Sequence, residues 1–206
     1  VLRLEQVRKA KADEAQRLAR ASDLARDHDK STGAATRTFL AFVLGLLWVG
    51  APLVRHYMVN PAMRTHQTTL LADVAQAVLI LALGLWSRES MTKTAVNRRL
   101  YATLLCTPVA QLVLAIALMR AGHSAATVHW MHSFIWAMLL TSVTIHLERA
   151  LWPSAVAMTL VFLGTAADRT WLHLALAVTD GLVMVNMIVV WSPWLAKSRR
   201  ALGHSD

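Results

Sequence analysis

Beyond residue 37, the chain alternates between long apolar blocks with almost no charge and short connections that hold nearly all the Lys, Arg and Glu. At 1.5 Å per residue, a block of about 20 apolar residues covers the roughly 30 Å of a bilayer core. The pattern predicts six helices, at about 38–54, 68–87, 100–119, 128–147, 150–167 and 170–193. The first block is at the short limit for a span and holds Gly45, Gly50 and Pro52; Pro108 is a kink point in the third. Connections after the second block are short, so neighbouring helices should pair as antiparallel hairpins. The expected fold class is all-α, a polytopic membrane protein built as a six-transmembrane-helix bundle. No internal repeat is evident, so the inverted symmetry of many transporters is not expected.

The fourth block, VHWMHSFIWAMLLTSVTIHL, has no Lys, Arg, Asp or Glu but carries His129, His132, His146, Ser133 and Thr141. Polar and ionisable groups in a membrane helix face the bundle interior or a wet cavity. This helix should therefore be central.

Residues 1–37 differ in kind. The segment LRLEQVRKAKADEAQRLARASDLARDHDK is rich in good helix formers, and Glu5–Lys9 and Asp13–Arg17 are acid-before-base pairs four apart. Leu4, Val7, Leu18, Ala21 and Ala25 fit a 3.5-residue stripe that Lys11 and Glu14 interrupt. Two readings stand side by side: a short coiled coil that makes a homo-oligomer through residues 1–30, and a solvated helix lying near the headgroups. No apolar core of a signal peptide is present. Ser31, Thr32 and Gly33 should break this helix before the bundle at 38–194, and 195–206 should form a basic tail.

Composition agrees with the pattern: 56% of residues are hydrophobic and 16% charged, against about 25% charged in a soluble domain. The formal net charge of +9 then reads as basic flanks of membrane helices, with the lipid bilayer as partner and no nucleic acid. Basic residues also orient the bundle. The arm holds nine, the connections on its side add Arg88, Lys93, Arg98, Arg99 and Arg149, and the tail adds Lys197, Arg199 and Arg200. That places seventeen of the 21 on one side, against Arg55, Arg64, Arg120 and Arg169 on the other. The positive-inside rule makes both termini cytoplasmic. Aromatic residues fit, with Trp86, Tyr101, Trp152, Trp191 and Trp194 at the inner interface and Tyr57, Trp130 and Trp171 at the outer. Cys106 is the single cysteine, so no internal disulfide forms.

Helix rise then gives depth. Asp73 lies about 8 Å inside the outer end of its span, His132 about 6 Å, Gln111 about 12 Å and Asp180 about 14 Å. His129 and His173 sit nearer the boundary, and Gln76 is one turn beyond Asp73. Four helices thus send polar groups into the outer half. One reading is structural: Asp73, Gln76 and Asp180 hydrogen-bond neighbouring helices as interhelical glue. The other is a ligand- or proton-sensing pocket of Asp73, Gln76, Gln111, His129, His132, His173 and Asp180. A carboxylate beside an imidazole shares a proton or holds a small polar ligand.

Transport or redox chemistry is the alternative from another class: a small secondary transporter, or an electron carrier with haem b. His132 and His146 are fourteen apart, within about 40° of one face and separated by about 21 Å of rise. Each haem needs an axial partner from a second helix, and only His173 lies at a suitable level, so one haem between His132 and His173 is the most this pattern allows. Otherwise no cofactor is expected. His129-x-x-His132 has helical metal-binding spacing, but no third ligand is evident and no metal site is assigned. Catalytic signatures are absent: no His-Glu-x-x-His, no Gly-x-Ser-x-Gly, no phosphate-cradling Gly-rich loop and no lysine within a span.

At the junction from arm to membrane, a charged helix ends at Asp29 and Lys30, Thr36-Arg37-Thr38 enters the bilayer, and Leu44-Gly45 precedes Trp48 and Pro52. In these features residues 23–53 resemble the juxtamembrane segment of large bacterial membrane-bound serine/threonine protein kinases, in which a cytoplasmic catalytic domain precedes a multi-span C-terminal region. The resemblance implies that this chain is the non-catalytic membrane portion of such a kinase, in the bacterial inner membrane, with a signalling domain ahead of Val1. The kinase's own His-Arg-Asp and Asp-Phe-Gly motifs do not occur in it. A start at Val1, not Met, fits that expectation. The expected function is anchoring and sensing: an event in the outer pocket shifts helix packing, and the first span passes the shift to the arm.

Overall fold

The computed structural model describes residues 11, 14–22, 32–60 and 63–192, and among these it contains helices and no strand. Six helices follow one another: α1 Ala34–Tyr57, α2 His66–Met91, α3 Ala95–Arg120, α4 Ala125–His146, α5 Trp152–Gly164 and α6 Leu172–Trp191. Lys11 and residues 14–22 are helical and exposed. The rest of the arm, with most of the coiled-coil stripe, and the tail at 195–206 lie outside the described residues.

Local chemistry sets the helix ends. Thr65 and Thr68 form a reciprocal capping box at the start of α2: the Thr68 N–H donates to Thr65 Oγ1 (3.3 Å) and the Thr65 N–H to Thr68 Oγ1 (3.0 Å). Thr94 and Ser124 cap α3 and α4 by accepting from the N–H of Asn97 and Thr127. Gly122 ends α3 with φ of +79°, where the His123 N–H reaches Leu118 O and the Gly122 N–H reaches Met119 O, a Schellman arrangement.

The direction of each helix follows from contacts between ends. Arg55 near the end of α1 donates to Thr69 at the start of α2 (3.0 Å). His129 and His173, near the starts of α4 and α6, meet edge to face with ring centroids 4.8 Å apart, so those two helices run the same way. Between them α5 returns: Trp130 Nε1 donates to Phe162 O (3.0 Å) at one end, and Asn186 Nδ2 to Ser154 Oγ (2.8 Å) toward the other. The chain therefore passes back and forth between an arm end, where α1 begins, and a far end. The hairpins expected after the second span are present, and α1 packs mainly on α6, less on its neighbour α2. The core lies where α4, α5 and α6 meet, around Leu140, Leu151, Met158, Leu172 and Val183. At Gly45 the α1–α6 contact is so close that a Cβ would strike the Met184 side chain.

Two features depart from the sequence reading. Five helices, α1 to α4 and α6, are long and apolar enough to cross a membrane, and α5 is not among them. It has 13 residues, preceded by a 3-10 turn at Arg149–Leu151, and the two together rise only about 25 Å. Pro153 confines the helix start to Trp152, and beyond Gly164 the Thr165 hydroxyl turns back onto Val161 O (2.7 Å). The second departure concerns the first span, which begins at Ala34, three residues before Arg37, and carries that arginine into the bundle almost fully buried (4% exposed). Arg37 Nη1 donates to Thr32 O (3.1 Å) and to Asn97 Oδ1, while Asn97 Nδ2 donates to Thr32 O and Ser90 O (both 3.1 Å). Gly33, with φ of +77°, packs against Asn97 and Ser90 where a side chain would clash. A polar clasp thus ties the entry to α1 onto the α2–α3 loop.

Candidate functional site

The far end of the bundle collects most of the polar groups expected to meet. Asp73 reaches from α2 toward His132 on α4, with Oδ1 and Nδ1 3.6 Å apart and both residues 5% exposed. That distance is longer than a hydrogen bond, so the pair is adjacent but not clasped. His129 lies one turn before His132 on α4, ring to ring at 6.1 Å, and meets His173 of α6. Gln76 Nε2 donates to Gln111 Oε1 across α2 and α3 (3.4 Å).

In and around this cluster, six buried polar atoms have no hydrogen-bond partner in the protein: Asp73 Oδ2, the Nε2 atoms of His129, His132 and His173, Arg55 Nε and Trp48 Nε1. Buried polar groups are normally matched, because each unmatched one forfeits hydration of order 1–3 kcal/mol. A cavity of about 900 Å³ lies beside them, lined by Asp73, Gln76, Gln111, His129, His132 and Asp180 among others. That volume is in the range of small-molecule sites.

Asp180 is placed differently from its sequence partners. It lies about two turns deeper than His173 on α6 and makes no polar contact among the described residues. With Trp48 and Trp136, whose rings meet edge to face at 4.7 Å, it lines both the large cavity and a second one of about 70 Å³ toward the arm end. His146 is exposed at the opposite end of α4, and the ring of His173 meets that of His129. Among the described residues no group of three His, Cys, Asp or Glu stands close enough to hold a metal ion.

Sequence reading missed Arg55, counted there as a loop residue. It sits in the last turns of α1, bonds Thr69 and lines the cavity near Asp73. A signal existed: Arg55 follows directly on the first apolar block while Asp73 opens the second, so opposite charges stand at similar depth on consecutive helices. Arg64 caps α1 by donating to the carbonyls of Arg55 (2.7 Å), His56 and Val59. On the neighbouring loops, Arg169 donates to Thr127 Oγ1 (2.6 Å) and lies over Trp130. Beside it, the backbone N–H and hydroxyl of Thr170 hold the Asp168 carboxyl below its ordinary range.

The far end is therefore a partly matched polar chamber walled by five helices of an apolar, membrane-type bundle. No protein-family model, no curated protein and no solved structure matches the chain.

Proposed function

We propose that this chain is the membrane-embedded sensory region of a signalling protein, with the far-end chamber as its input and the arm as its output. The observation that carries the reading is the set of five buried, unmatched polar atoms on residues lining one cavity: Trp48, Arg55, Asp73, His129 and His132. Interhelical glue consists of matched pairs, as at Gln76–Gln111; a chamber of unmatched donors and acceptors suits a group that arrives and leaves. The route outward is α1, which lines the chamber at Arg55 and at its other end carries the Arg37–Asn97 clasp beside the arm. In this reading the chain crosses the bacterial inner membrane six times, α5 being a short crossing, and the arm end is cytoplasmic on the count of basic residues. The arms associate between copies through residues 1–30. The signalling domain served is of the serine/threonine kinase kind, on the resemblance of residues 23–53.

The test is thermal stability of the detergent-solubilised protein across a pH series from about pH 5 to 8, for wild type, Asp73→Asn and Asp180→Asn. Asp73→Asn keeps the shape and removes the charge, so its profile should flatten while the protein stays folded. Asp180→Asn should shift stability and keep the pH dependence. An unchanged profile in Asp73→Asn would reduce the cluster to structural glue.

One observation favours a second reading, a small transporter: Asp180, Trp48 and Trp136 lie between the large cavity and the smaller one toward the arm end. Proton flux into liposomes that is lost in Asp180→Asn would select it over sensing.

A further inference from the structure

The chamber is not sealed on its α1–α2 side. These two consecutive helices touch at the arm end through Phe39 and Trp86, with ring centroids 5.3 Å apart, and at the far end through Arg55 and Thr69. Sixteen residues of α1 separate the two contacts, about 24 Å along the helix. Between them the facing residues are small: Gly50 and Ala51 on α1, Ala72 and Ala75 on α2, all lining the cavity. A Cβ at Gly50 would meet nothing within 4 Å. Leu46, Leu47 and Val54, also on the cavity wall, are exposed on the apolar outside of the bundle. The gap is thus a window in the lipid-facing wall, apolar at its rim and polar inside.

Resting on the sensory reading above, we propose that the ligand is lipid-borne: a single-tailed amphiphile whose compact, uncharged head carries carbonyl acceptors, entering sideways between α1 and α2. The interior chooses the head. Arg55, whose Nε has no partner among the described residues, and the amide of Gln76 offer donors, which call for acceptors. Arg55 and Asp73 put one ionisable group of each kind on the chamber wall, so a charged head of either sign would face a like group there and would also lose its hydration. The rim chooses the tail, since Leu46, Leu47 and Val54 give an alkyl or isoprenoid chain a path back into the bilayer. Asp73 and His132, each 95% buried by their 5% exposure, both present an unmatched atom beside the chamber.

Quenching of tryptophan fluorescence tests this, because Trp48 and Trp136 stand on the cavity wall. The full chain in nanodiscs is titrated with a decyl-tailed benzoquinone, the same benzoquinone without its tail, and oleate carrying bromine on its chain. The tailed quinone should quench saturably. Gly50→Phe fills the window and should weaken that binding at least about tenfold, as should Ala75→Phe from the opposite side. Both positions have room or exposure, so the variants should fold as wild type does. Equal binding of the tail-less quinone, tighter binding of the brominated oleate, or quenching indifferent to both variants would overturn the proposal. The sensory reading fails separately: window-dependent binding that leaves the arm unchanged keeps this inference and removes that one, whereas arm changes driven by pH without any amphiphile do the reverse.

Discussion

The α1–α6 contact is the joint on which the proposed signal turns, and Gly45 tests it. A Cβ there would overlap Cβ, Cγ and Sδ of Met184, and the first of these is fixed to the α6 backbone and cannot swing aside. Gly45→Ala must therefore push α1 off α6 or force Met184 from its rotamer. Overpacking of this kind costs about 1–3 kcal/mol, and the helix-propensity gain of alanine over glycine returns at most about 1 kcal/mol. A net loss of about 1–2 kcal/mol is expected on these principles. Denaturant unfolding in mixed micelles, followed by tryptophan emission, measures it. Met184→Ala should rescue: in the double variant the loss should shrink, with a coupling of about 0.5–3 kcal/mol between the two sites. A stabilised Gly45→Ala, or additive single and double variants, would refute the close packing of these helices.

Three further outcomes follow from other parts of the molecule. Asn97→Leu removes one partner of buried Arg37, together with the Asn97 amide's bonds to Thr32 O and Ser90 O, and should cost about 1.5–3 kcal/mol, the size of a charge-assisted hydrogen bond; the same unfolding assay reads it, with faster proteolysis of the arm as a second signature. Asp168→Ala should lower the melting temperature at neutral pH. Because the folded-state carboxyl is held below its ordinary value by Thr170, that difference should be complete above about pH 4 and vanish as pH falls through the folded value. In a Cys106→Ser background, an impermeant thiol reagent added outside intact cells should label Asn60→Cys and not Lys93→Cys; the opposite pattern would invert the orientation.

The helices were legible because lipid-facing residues are apolar whatever they touch, so uncharged length alone announced α1 to α4 and α6. The same property hid the packing. With every face apolar, no stripe marks which helix α1 meets, and the local hints of its contact with α6 are glycines, Gly45 against Met184 and Gly181 against Val49. Charge misled at the ends. Arg37 and Arg55 were read as flanks because charges usually stop a span, yet both continue α1 and find partners in Asn97 and Thr69. Depth arithmetic brought Asp73 beside His132, since helix rise is fixed once a cap is placed. It did not place Asp180, whose isolation depends on rotation about α6. Nor did it shorten α5, where Pro153 and the turn after Gly164 trim an apolar run that composition alone extends.

The central claim, that the far-end chamber speaks to the arm, is tested most directly at Ser22, an exposed helical position in the arm. With Ser22→Cys introduced in the Cys106→Ser background and spin-labelled, the distance between labels on two copies is measured in nanodiscs at about pH 5 and about pH 8. The distance distribution should differ between the two in the otherwise wild-type chain and become equal when Asp73→Asn is added. A distribution that changes with pH by the same amount in both backgrounds, or in neither, would contradict the account.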